Sequence, residues 1–192
     1  MLLRSLSAAV VCGVSLLLTR DVDAQLVFVT DQDEFTAAIV SGNTIELAAN
    51  LLLKSELVIS HVEHLTVRGN GYMVNAQNTS RCFSISHSSL HFQDITVENG
   101  LARGDDDGGG FGGGMLVTNS NITISGSYIS NSIATAGGGG LALMKFSTAN
   151  LLRTSIAGNA GGGVYIDISH VNMTSSNILY NTNSQVCPLV LK

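Results

Sequence analysis

The chain has 192 residues, 45% of them hydrophobic and only 12% charged, with a formal net charge of −5. That much apolar material supplies a core for one domain and excludes a disordered chain, while the acidic balance argues against nucleic acid or an anionic membrane surface as the main partner. Glycine reaches 21 copies against a single proline and no tryptophan, a composition in which tight turns carry much of the architecture.

Residues 1–24 read as a secretory signal. Arg4 supplies the positive start, Leu6 to Leu18 form the apolar stretch, and Val22-Asp-Ala24 places small residues before a cut at Gln25. A membrane span needs about 20 apolar residues, and Arg20 interrupts this run. The mature protein is therefore expected to be secreted or held at the cell surface, as a glycoprotein. Its N-glycan acceptors are Asn78-Thr-Ser, Asn121-Ile-Thr and Asn172-Met-Thr.

Residues 25–60 carry a strand, a short helix and further strands. Leu26-Val-Phe28-Val is the first strand, and Thr30-Asp-Gln-Asp33-Glu34 supplies N-cap and first-turn residues. Phe35, Ala38 and Ile39 fall on one helical face, which Gly42 terminates. The helix is expected to plug the open end of the structure that follows, where strand edges would otherwise pair with another chain.

Over residues 61–192 one pattern returns five times: HVEHLTVRGN to Asn70, SLHFQDITVEN to Asn99, NITISGSYISN to Asn131, ANLLRTSIAGN to Asn159 and VNMTSSNILYN to Asn181. Alternation such as Ile122-Thr-Ile124 or Val171-Asn-Met173 puts apolar side chains on one face of a strand. Three gaps contain glycine clusters that open new apolar runs, GGGMLV, GGGLAL and GGGVYI. One such unit cannot bury its apolar face alone, so neighbours must stack. Taking Val67, Val97, Ile129, Ile156 and Ile178 as equivalent gives spacings of 30, 32, 27 and 22 residues, as expected of solenoid coils with similar strands and unequal loops. Ile85, Ile95, Val97, Ile122, Ile124, Ile129, Leu151, Ile156, Ile166, Ile168 and Ile178 are expected to point inward, and Ser125 outward. The asparagines Asn70, Asn99, Asn131, Asn159 and Asn181 are expected to form a ladder at one turn position, because Asn tolerates the left-handed conformation and stacked amides bond along the axis.

These glycine-plus-aliphatic runs, with the Ile-x-x-Asn and Tyr-x-x-Asn pieces ending at Asn131, Asn159 and Asn181, resemble the right-handed parallel β-helix, or pectate-lyase-like, superfamily. In particular they look like the repeats of polymorphic outer membrane proteins. The resemblance covers most of the mature chain and implies an all-β, right-handed parallel β-helix solenoid. Enzymes of this superfamily act on acidic polysaccharides as lyases, hydrolases or epimerases.

Residues with chemical potential are scattered. The Asp105-Asp106-Asp107 run sits among glycines and reads as a solvated loop tip rather than a calcium frame. Ile-Ser-His occurs three times, ending at His61, His87 and His170, and His61 and His87 are expected on adjacent coils. A zinc site needs three or four ligands, and none joins them clearly. Asp94, Glu98 and Asp167 are the carboxylates of the coils, and a cluster of Asp94 with Arg68 or Arg81 would be a chance one that no motif supports. The paired-Asp, Gly-His-Gly, Arg-Ile-Lys and Asp-Pro-His-Asp segments of the superfamily's enzymes are absent. No catalytic residue, cofactor or metal is assigned.

Of the cysteines, Cys12 leaves with the signal. Cys82 and Cys187 stand about four coils apart, roughly 19 Å at about 4.8 Å per coil, beyond disulfide reach. Aligned with Tyr165, Cys82 is expected to be an exposed thiol. Cys187, Leu189 and Leu191 read as the inward residues of an incomplete last coil, through which the chain is expected either to self-associate or to continue as part of a longer solenoid. The function expected is non-catalytic binding of a polysaccharide or a cell-surface protein by a lateral, strand-lined face displaying Thr123, Asn172, Thr174 and the neighbouring turn asparagines. The alternative is a polysaccharide lyase or uronic-acid epimerase.

Overall fold

The computed structural model describes residues 24–104 and 109–182. The signal segment up to residue 23, the Asp105–Asp107 run and the stretch containing Cys187, Leu189 and Leu191 lie outside the described residues. What is described is all-β apart from the helix Gln32–Ala38. All strand pairing is parallel, in stacked sheets compatible with a β-helix-like solenoid.

Three sheets are visited in rotation. The first holds seven strands in the order Leu26–Val29, Thr44–Leu47, Leu65–Arg68, Ser89–Gln93, Asn121–Ser125, Thr148–Leu152 and His170–Thr174. The second holds six, Leu51–Leu52, Met73–Asn75, Thr96–Glu98, Tyr128–Ser130, Ser155–Ala157 and Asn177–Leu179. The third holds five, Leu57–Ser60, Phe83–Ser86, Met115–Thr118, Leu141–Met144 and Val164–Asp167. A short pair, Leu101–Ala102 with Ile133–Ala134, lies between the second and third. From Thr44 onward the chain runs first, second, third and back again, so every strand pairs with the one a full circuit away.

The register follows from alternation, because a slip of one residue would turn the apolar set outward. Val74, Val97, Ile129, Ile156 and Ile178 form one column of the second sheet. Val67 belongs elsewhere: it pairs with Ile45 and Phe92 in the first sheet, so its equivalence to Val97 is corrected. A short alternating copy looks the same on either sheet, and only the pairing tells them apart. Ile85, Ile95, Val97, Ile122, Ile124, Ile129, Leu151 and Ile156 are buried as expected. Phe35 of the helix is fully buried, with its ring 6.1 Å from that of Phe83, which lies 5.2 Å from Phe92.

Three expected core positions differ. Ile166 is half-buried and Ile178 is 38% exposed, because their strands are the last described in their sheets and have no neighbour on one side among the described residues. Ile168 is 63% exposed with φ +48°; it occupies a corner, not a strand. Ser125 faces outward as expected but is buried rather than solvent-exposed. Alternation places it on the outer face, but the His91 imidazole of the preceding coil covers it, Nε2 lying 3.0 Å from its Oγ.

The corners share one design. Between the third and first sheets, His61, His87, Asn119 and Ile168 adopt positive φ. The residues next after His87, Asn119, Phe146 (φ +64°) and Ile168, namely Ser88, Ser120, Ser147 and Ser169, turn inward. Their Oγ atoms accept the backbone N–H groups of Val62, Ser88, Ser120 and Ser147, each from the coil before, at 3.0–3.2 Å. Between the first and second sheets, Asp94, Gly126, Arg153 and Ser175 take the positive φ. There Ser127 Oγ accepts from Ile95 N and Ser176 Oγ from Thr154 N. Between the second and third sheets the left-handed residues are Asn99, Asn131, Gly158 and Tyr180. Each circuit thus bends at left-handed residues, and a small polar side chain just inside satisfies an N–H that would otherwise be buried without a partner.

Candidate functional site on the outer face of the first sheet

The outer face of the first sheet carries two polar columns. One runs Thr44, Thr66, His91, Thr123, Asn150 and Asn172; the other runs Glu46, Arg68, Gln93, Ser125, Leu152 and Thr174. Strands stack about 4.8 Å apart, so the first column presents hydroxyl, imidazole and amide groups at regular intervals. Asn172 Nδ2 donates to Asn150 Oδ1 at 2.9 Å, and Arg68 Nη1 donates to Glu46 Oε1 at 2.8 Å. Near the edge facing the third sheet, His64, Thr66, Ser89, His91, Asn121 and Thr123 line a shallow cleft of about 310 Å³ over the backbone of Leu65 and Leu90, whose side chains are buried in the core. That volume is at the lower end of small-ligand pockets.

The expected asparagine row divides into three places. Asn70 sits at the corner leaving the first sheet, with φ +51° and its Nδ2 3.4 Å from both Glu46 Oε2 and Leu47 O. Asn99 and Asn131 are the left-handed residues at the corner leaving the second sheet. Asn159 and Asn181 come one residue later in register, where Gly158 and Tyr180 take the left-handed place. Among the five, side-chain amides bond along the axis only between Asn159 and Asn181, at 2.9 Å. A single row through all five is therefore corrected: one-residue offsets are invisible in repeats that share only a terminal asparagine.

The histidines divide in the same way. His61 and His87 occupy equivalent corners of adjacent coils, and their rings stack 4.9 Å apart at 7°. Stacked this way, the two rings lie in parallel planes and do not converge on one point. Their polar neighbours are Ser60, Ser86 and Asn119. The third Ile-Ser-His is out of register, since Ile168 occupies the corner and His170 begins the next strand opposite Thr148. Among the described residues no group of three His, Cys, Asp or Glu is placed to hold a metal ion.

The carboxylates do not converge. Asp94 is at a corner, Glu98 on the second sheet and Asp167 on the third. Glu98 Oε1 accepts from Asn75 Nδ2 at 2.8 Å and from Asn99 Nδ2 at 3.3 Å. Arg68 pairs with Glu46 and Arg81 with Glu56, in place of a chance cluster with Asp94. Arg81 is buried, and its Nε also donates to the carbonyls of Phe111 and Gly112, fastening the glycine-rich segment to the third sheet.

Cys82 is corrected as well. Its residue is fully buried, and the thiol donates to the Glu98 carbonyl at 3.3 Å. Burial pushes its pKa up to about 12, against smaller lowering contributions from backbone hydrogen bonds. The strand that follows pairs Phe83 with Met115, Met115 with Leu141 and Leu141 with Val164. Cys82 is therefore in register with Gly114, Gly140 and Gly163, not with Tyr165. That column also explains the glycine clusters: a Cβ at Gly140 would stand 2.7 Å from Ile156 Cγ2 and 2.8 Å from Gly163 O.

Of the glycan acceptors, Asn121 and Asn172 lie exposed on the first sheet and Asn78 lies exposed in a turn with φ +57°. Among the described residues no helix is long and apolar enough to cross a membrane. Comparison of the chain with family models, with curated proteins and with solved structures returned no match.

Proposed function

We propose that this is a secreted or cell-surface protein of the right-handed parallel β-helix, pectate-lyase-like type. It binds glycans or another protein through the outer face of the first sheet, without turning its ligand over. Parallel crossovers are right-handed in nearly all proteins, and the helix carrying Phe35 acts as the plug of the N-terminal end. The observation that supports binding is the in-register polar column from Thr44 to Asn172 with the cleft on its flank. Repeated donors and acceptors at strand spacing suit an extended ligand lying along the stack. The wide separation of Asp94, Glu98 and Asp167 over a corner and two sheets gives no carboxylate pair for general acid and base.

Retention on glycan arrays and on cell-surface protein panels tests this, using unglycosylated protein. Asn150→Ala combined with Asn172→Ala is expected to weaken retention about tenfold, the equivalent of roughly 1.4 kcal/mol. Retention indifferent to both changes sinks the assignment of this face. Cleavage of a uronic polysaccharide, abolished by Asp94→Asn or Glu98→Gln, transfers the protein to the enzymes.

A further inference from the structure

The acceptor Asn121 does not stand apart from the cleft; it forms part of the wall. His64, Ser89 and Asn121 make one column across three adjacent strands, and Thr66, His91 and Thr123 make the next. Three strands and three residues give a footprint of about 10 Å by 7 Å, which one hexose ring covers. Asn121 opens its strand and is exposed, and its acceptor threonine, Thr123, is itself in the opposite wall. The other acceptors differ. The Asn172 amide is engaged with Asn150 Oδ1, and Asn78 lies in a turn after the second sheet.

We infer that the N-linked sugar on Asn121 is the occupant of this cleft, so that glycosylation there sets whether the upper part of the binding face is open. The inference rests on the secretion reading. The first sugar, an N-acetylhexosamine bonded to Asn121 Nδ2, lies over Ser89 and the His91 imidazole. Its hydroxyl and acetamido groups meet the Thr66, Ser89 and Thr123 hydroxyls, and its ring lies over the strand backbone at Leu65 and Leu90, whose side chains are buried in the core. An external ligand then reaches only the far part of the face, around Asn150 and Thr174, and that part only where the acceptor Asn172 is bare. Removing the sugar adds the six-residue patch above.

The test uses the full chain secreted from eukaryotic cells. Site occupancy is read by peptide mapping, and shielding by the rate of diethylpyrocarbonate modification of each histidine. His170, exposed at the far end of the same sheet, serves as the internal reference. Expected are an occupied Asn121 and modification of His64 and His91 that is several-fold slower than in Asn121→Gln, with His170 unchanged. Native treatment of the wild type with a peptide-N-glycosidase, which removes the whole glycan including the first sugar and leaves Asp at position 121, should restore the faster rates, which covers the case in which Asn121→Gln folds poorly. Secreted protein with Asn121 bare, or an occupied Asn121 with unshielded His64 and His91, overturns the inference and leaves the binding face standing. Failure of the chain to reach the medium overturns the secretion reading instead.

Discussion

The Oδ1 atom of Asn181 accepts both the backbone N–H and the side-chain amide of Asn159, each at 2.9 Å. Asn159 in turn accepts Ser132 N–H through its own Oδ1 and donates Nδ2 to the carbonyls of Ile129 and Ala157. One fully buried amide therefore ties three coils together. Asn159→Leu strands Ser132 N–H in an apolar interior, while the Asn181 amide keeps its bonds to the backbone N–H of residue 159 and to Ile156 O. We expect a loss of about 1–3 kcal/mol, read as a lower denaturant midpoint with an unchanged slope. Asn131→Ser, at the exposed left-handed corner, is the comparison and should cost less. Equal losses would show that the inward amide has no special part in holding the coils.

Glycine is required at the inward column for space, not for backbone freedom. Gly140→Ala forces a methyl against Ile156, Gly163 O and Asn159 Nδ2, a clash expected to cost about 1–3 kcal/mol. At Gly104 the nearest atom to an added methyl is Thr135 Oγ1 at 3.8 Å, and Gly104→Ala should stay within about 0.5 kcal/mol. Thermal unfolding of both variants decides the matter, and similar midpoints would refute the assignment of the column.

Cys82 should resist alkylation at pH 8 in the native protein and react once denaturant is added. Its pKa is raised from 9.0 to about 12 by burial, so between those values the unfolded chain loses the proton while the folded chain keeps it. The folded state then holds more protons, and stability must fall as pH rises through that window. The difference in stability between wild type and Cys82→Ala should accordingly be flat below pH 9.0 and change above it. A native thiol that labels rapidly at neutral pH would contradict its burial.

Arg81 bridges Glu56 and the carbonyls of Phe111 and Gly112. Arg81→Met retains the apolar stem but leaves the carboxylate and two carbonyls without their donor. We expect a loss of about 1–3 kcal/mol, with faster amide exchange at Gly112 and Gly114 than at Leu143, which lies deep in the same sheet. Unchanged exchange at the glycines would show that the segment is held by strand pairing alone.

Strand alternation made Ile122, Ile124, Ile129 and Ile156 legible as core without any structure, because period two fixes which face is buried. Corners were less legible. What defines them is a left-handed residue followed by an inward Ser, Thr or Asn, as in His87-Ser88, Asn119-Ser120 and Asn131-Ser132. That signal was present, but the eye follows the asparagine or histidine, whose place shifts by a residue between coils. Cys82 was misplaced for the same reason, since glycines carry no side chain to show which of them faces inward. The cleft was legible only in part: Thr123 and Asn172 were expected on the binding flank, whereas His64, Thr66 and His91 joined it through pairing across coils. Gaps of 25 and 32 residues separate the partners His91 from Thr66 and Thr123 from His91, too irregular to align by inspection.

The inward corner side chains have a mechanical consequence. Each one grips the coil before it along the stacking axis, so a force that lifts the last coil loads its ladder bonds and corner bonds one after another, while a force across the sheets loads many coils at once. Pulled from its C-terminal end, the protein should peel in steps and not rupture in a single event. The step from Ile156 to Ile178 spans 22 residues and would release about 75 Å of chain, at roughly 3.3–3.6 Å per extended residue. The step from Val97 to Ile129 spans 32 residues, so its longer release would mark the passage of the glycine-rich circuit on a force–extension trace.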